Sequence, residues 1–226
     1  MPKACAWFTD LALPILLGEE LGAAARGQVA RCINLLPPEG RLFQAGLMLA
    51  RDSQTARLCV RGISKGQIVE YLRAIEWKGA WLELESLLQS LEQKVERIDL
   101  DLDVTDRVLP KIGLECYTGA EERRSQAFLA HLVSSGLCTA RKAGAIASWA
   151  GTARETQTPD VWPQQLLAAS RQREGGFHSA FVRKLHHIKV DCPEAASWRA
   201  KAYLGVHHKW LAPETIRGDV DCSFPF

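Results

Sequence analysis

The chain has 226 residues, enough for one domain with a sizeable core or at most two small ones. With 47% hydrophobic and 24% charged residues it has ordinary globular composition, and a net charge of +2 sets up no broad field to recruit nucleic acid or a membrane surface. Any anion site must therefore come from local clustering, and no apolar run approaches the ~20 residues of a membrane span.

The seven cysteines, at 5, 32, 59, 116, 138, 192 and 222, contain no CxxC pair. An odd count without a secretory leader predicts free thiols in a reducing, cytoplasmic setting. Residues 1–9 read as loose, and Asp10 reads as the cap of a helix ending at Leu17. A second helix is expected over 19–36, stopped by Pro37 and Pro38. A hairpin follows over 43–63, with Asp52-Ser53-Gln54 as its turn. Its return arm alternates Leu58 and Val60 with Arg57, Cys59 and Arg61.

Ser64 is placed to cap a helix carrying Ile68, Tyr71, Leu72 and Ile75, and Gly79 separates it from a helix over 80–95. The most regular stretch comes next, at 98–117. Ile98, Leu100, Leu102 and Val104 alternate with Asp99, Asp101 and Asp103. On the return arm Ile112, Leu114 and Cys116 alternate with Lys111, Gly113, Glu115 and Tyr117. Period-two alternation puts the apolar side chains on one face of a hairpin and the charged ones on the other. Helices are expected over 121–135, stopped by Gly136, and over 139–149, capped by Thr139. Residues 150–180 read as an irregular loop or lid, with one helical piece at 162–170. A third hairpin spans 186–206, and the tail from 210 to 226 reads as loose or irregular.

Three hairpins separated by helices predict a single α+β domain over 1–226. Its helices would cover one face of an antiparallel sheet. The other face would be polar and concave, as a partial or complete barrel. That face would gather Arg57, Arg61, Lys111, Lys189, Arg199, Lys201, Tyr117 and Tyr203, a set suited to a di-anionic ligand. The carboxylates Asp101 and Glu115 would serve as a base or hold an N–H group. Solvated strand faces are also routinely charged, and cross-strand Lys–Asp pairs stabilise them modestly. His187, Asp191 and His207 flank the last hairpin without metal-ligand spacing, so the reading calls for no metal and no cofactor.

The strand Arg199-x-Lys201-x-Tyr203 resembles the diphosphate-binding strand motif of ABBA-type aromatic prenyltransferases. That resemblance implies repeated units of two helices and two antiparallel strands around an inner chamber. It implies diphosphate contacts from Arg199, Lys201 and Tyr203, more loosely from Lys111 and Tyr117, and a carboxylate, Glu115 or Asp101, for the aromatic nucleophile. The partners implied are an isoprenoid diphosphate and an aromatic or peptide acceptor. The sequence offers six strands where that barrel has ten, so either the barrel is incomplete, or a second copy or partner chain completes it, or the fold is another one. The alternative is a non-catalytic peptide- or protein-binding module, accessory to a biosynthetic pathway, that uses an open sheet edge.

Overall fold

The structure is a computed structural model that describes residues 6–47, 55–192 and 198–213. It is α+β, with one antiparallel sheet of seven strands. The strands are β1 (Arg41–Leu47), β2 (Ala56–Arg61), β3 (Arg97–Val104), β4 (Val108–Tyr117), β5 (Gly151–Arg154), β6 (His178–Cys192) and β7 (Arg199–Leu211). Their order is β1-β2-β3-β4-β6-β5, and β7 also pairs with β6. All three expected hairpins thus lie in one sheet. The expected turn at Asp52-Ser53-Gln54 falls outside the described residues.

The helices are α1 (Leu13–Leu17), α2 (Ala23–Asn34), α3 (Lys65–Ala74), α4 (Trp81–Ser90), α5 (Glu122–Ser134), α6 (Ala140–Ala147) and α7 (Gln164–Gln172). Local chemistry explains several ends. Ser64 accepts from the Gln67 amide while the Gln67 side chain accepts from the Ser64 amide, a complete capping box at the start of α3. Thr139 caps α6 through the Lys142 amide, and Gly136 follows α5 with a φ of 71°. Asp10 is no cap: it lies within a π-helical turn, Phe8–Ala12, that runs directly into α1. The chain is helical from Ala6, and Trp210 and Leu211 belong to β7, so those margins are more ordered than expected. No helix among the described residues is long and apolar enough to cross a membrane.

The chain divides into two compact units. The first comprises Met1–Gly119 and Lys189–Lys201; the second comprises Ala120–Ile188 and Ala202–Phe226. In the first, Val29, Ile68, Leu72, Leu84 and Leu88 are buried, as are Leu58, Leu100, Leu102, Ile112 and Leu114 on the strands. The Tyr71 hydroxyl ties α3 to α2 by donating to the Cys32 carbonyl at 2.7 Å. In the second unit Phe128, Leu129, Leu132, Trp162, Val182 and Ile188 are buried.

Residues 150–180 are not an irregular loop. They contain β5, a 3-10 turn at Pro159–Val161 and α7. Two polar anchors hold them: the Trp162 indole N–H donates to Ser179 Oγ at 2.9 Å, and Ser170 hydrogen-bonds the buried Glu155 carboxylate.

Candidate functional site

Strand register assembles the polar face of the central hairpin. Leu100 faces Leu114 and Leu102 faces Ile112 across β3 and β4, so Asp99 falls opposite Glu115, and Asp101 opposite Gly113. On the other side of β3, Cys59 faces Asp101 and Arg57 faces Asp103. The aspartates are buried, with 0%, 3% and 2% exposure for Asp99, Asp101 and Asp103. A buried carboxylate is tolerated when it is paired and hydrogen-bonded, and each of these has a cation.

Arg57 grips Asp103 through two parallel bonds of 2.8 and 2.9 Å. Arg61 donates to Asp99 at 2.9 Å, and Arg97 pairs with the other oxygen of Asp99 at 3.0 Å. Lys189 makes a buried ion pair with Asp101. Its side chain lies where Gly113 has none: a Cβ added at 113 would overlap Lys189 Cε and stand 3.0 Å from Nζ. Burial first, then the neighbouring Arg57, pulls the Lys189 ammonium down to about 8.

The remaining expected site residues divide into those that converge and those that do not. Arg199 and Lys201 meet at the buried Asp191, at 3.5 and 3.3 Å. Both are half-exposed, so these are looser contacts than the pairs on β3. Tyr203 makes no part of that group; its ring stacks on His187 at 4.3 Å between centroids. Lys111 is partly buried on β4. The Tyr117 hydroxyl donates to Glu115 at 3.1 Å, and the Arg97 guanidinium lies 3.9 Å over the Tyr117 ring. Burial raises the Glu115 carboxyl above its ordinary value and pushes the Tyr117 hydroxyl to about 12. Glu115 therefore holds a proton more readily than an exposed carboxylate.

The face is thus a ladder of mutually neutralised charges. A diphosphate that recruits Arg57, Arg61 or Lys189 must take a cation from a buried aspartate. The polar alternation placed these residues on one face, but their ion-pair partners come from parts of the chain that sequence spacing does not specify. Among the described residues no cluster of three or more His, Cys, Asp or Glu side chains is placed to hold a metal ion.

Sequence reasoning passed over the second feature, the exposure of β7. Tyr203, Leu204 and Val206 are 44%, 46% and 53% exposed. They occupy both faces of a thirteen-residue strand that pairs with β6. The signal was present in the sequence, since Tyr203 adds an aromatic side chain to the face opposite Leu204 and Val206 and so puts large nonpolar surface on both sides. Farther along, His208 Nε2 contacts Ser179 Oγ at 2.9 Å, and its ring lies against Phe181 and Trp210.

No protein family, curated protein or solved structure matches this chain.

Proposed function

We propose that this protein is a peptide-binding module that takes up an extended segment by strand addition along β7. The observation that carries this reading is the exposure of Tyr203, Leu204 and Val206 on a thirteen-residue strand that lies off the main strand order and, among the described residues, pairs with β6. A long edge strand with exposed apolar side chains is a template for pairing, and proteins usually blunt such edges unless they use them. Backbone hydrogen bonds would supply much of the affinity, and alternate side chains of the guest would contact the two faces of β7.

This reading is preferred to a prenyltransferase-like enzyme because the cations which that enzyme needs are already engaged. Arg57, Arg61 and Lys189 each carry a buried aspartate, while Arg199 and Lys201 share Asp191. One thermal-shift screen separates the two. Extended peptides should raise the unfolding midpoint with dose, since a ligand that binds the folded chain stabilises it by mass action. Inorganic diphosphate and dimethylallyl diphosphate should leave the midpoint in place. The reverse pattern would transfer the assignment to the isoprenoid diphosphate enzyme.

Proline substitutions locate the contact. Successive amides of a strand point to opposite edges, so either Gly205→Pro or Val206→Pro removes a donor from the guest's edge. One of the two should abolish the peptide shift in a chain that still unfolds cooperatively. Full binding by both variants would place the guest elsewhere.

A further inference from the structure

Resting on strand addition at β7, we propose that the chain carries its own guest: residues 216–224 add to the second edge of β7 in cis, and an outside peptide binds by displacing them. The argument begins with what β7 exposes. Its even positions, Ala202, Leu204, Val206, His208 and Trp210, share one face of the strand. Leu204 and Val206 are largely exposed, and the row leads on to the His208 ring, which lies against Phe181 and Trp210. Among the described residues β7 pairs with β6 alone, which leaves its second edge for another strand.

The described residues end at Pro213, two past the end of β7 at Leu211, and thirteen more follow in the sequence. Residues 216–224 of that segment alternate strictly. Ile216, Val220, Cys222 and Phe224, with Gly218 among them, take the even positions; Arg217, Asp219, Asp221 and Ser223 take the odd ones. This is the pattern of a strand that is apolar on one face only, and such a face needs a partner. A hairpin loop of three or five residues sets even positions of one arm opposite even positions of the other. The apolar side chains of 216–224 then stand beside the row of Leu204, Val206 and His208, and the polar ones stand on the opposite face. Nine residues span about 30 Å when extended, enough to run back along β7 as far as Val206. The short tether supplies the rest, because it holds this guest at an effective concentration of about millimolar, which a free peptide must overcome.

The test is hydrogen exchange and a peptide titration, under reducing conditions, on full-length chains. A Val220→Asp/Phe224→Asp variant breaks the apolar row without shortening the chain, and Asp221→Asn changes only the polar face. Those amides of residues 203–207 that point away from β6 should exchange about tenfold faster in the double variant than in the natural chain, and Asp221→Asn should match the natural chain. A labelled peptide of residues 214–226 should bind the double variant about tenfold tighter than the natural chain, whose own segment competes with it. The same peptide carrying both Asp substitutions should bind neither. Equal exchange or equal peptide binding in the natural chain and the double variant would overturn the cis guest. A dose-dependent midpoint shift from an unrelated Val–Thr repeat peptide would then leave strand addition standing, and no shift from any peptide would overturn both. Protection that grows with protein concentration, together with dimers in sedimentation, would hand the second edge to another copy and overturn the intramolecular guest.

Discussion

Lys189 reaches Asp101 by crossing Gly113, and the missing side chain at 113 is what makes the crossing feasible. The clash that alanine would create there is with the far end of a flexible lysine. The lysine can move aside, so the loss is electrostatic rather than steric: Asp101 stays buried without its cation. Gly113→Ala should therefore cost about 3 kcal/mol, the scale of a broken buried ion pair. In a Lys189→Ala background the same substitution should cost little, and urea midpoints of the four proteins give the coupling. Additive losses would mean that Gly113 and Lys189 act independently.

Two arginine pairs differ in depth and should differ in worth. Asp103 is buried beneath the two-bonded Arg57, whereas Arg73 and Glu85 meet at 2.9 Å with both side chains well exposed. Arg57→Met should cost roughly 2–4 kcal/mol by stranding Asp103. Arg73→Met should cost below about 0.5 kcal/mol, as exposed pairs do. Chemical denaturation of both variants compares them directly, and similar losses would mean that Asp103 finds other solvation.

Leu114 is fully buried opposite Leu100, while Lys111 on the same strand is only partly buried. Leu114→Ala should cost about 2–5 kcal/mol, and Lys111→Ala about 1 kcal/mol or less. Calorimetric midpoints should rank the two variants in that order.

Stability should pass through a shallow maximum near pH 9. Burial raises the Cys32 and Cys59 thiols from an ordinary value of 9.0 to about 12 and about 11, and it raises Cys116 as well. Their folded pKa values exceed the unfolded one, so their stabilisation is complete below pH 9 and is lost as pH rises toward the folded values. Lys189, pulled from 10.5 to about 8, acts oppositely: the unfolded chain binds the extra proton in that window, so stability rises with pH. Each group changes stability by up to ~1.4 kcal/mol per pH unit, so three thiols outweigh one amine above pH 9. Urea midpoints between about pH 8 and 10.5 should rise slightly and then fall. Lys189→Met should remove the rise and keep the fall.

Much of the fold was legible because period-two alternation survives burial. Ile98, Leu100, Leu102 and Val104 against Ile112, Leu114 and Cys116 gave the central hairpin and its inward face, and Ser64 gave the start of α3. Alternation reports which side chains share a face but not whether that face is covered. Asp99, Asp101 and Asp103 therefore looked available, although each lies buried under a cation from a different part of the sheet. β5 has only four residues, Gly-Thr-Ala-Arg, too few to show a period. β6 begins eight residues before the expected hairpin arm, because Ser179, Phe181 and Arg183 mix types on one face. The role of Gly113 left no trace in its neighbours, since it depends on a lysine 76 positions later in the chain.

Because Lys189–Lys201 belongs to the same compact unit as Met1–Gly119, the gene cannot be cut once to yield that unit whole. A truncated chain ending at Gly119 would leave Asp101 without the Lys189 ammonium and the slot above Gly113 vacant. Such a fragment should accumulate in inclusion bodies. A synthetic peptide covering Lys189–Lys201, added during refolding, should rescue it by complementation, and the same peptide carrying Lys189→Met should do so far less well.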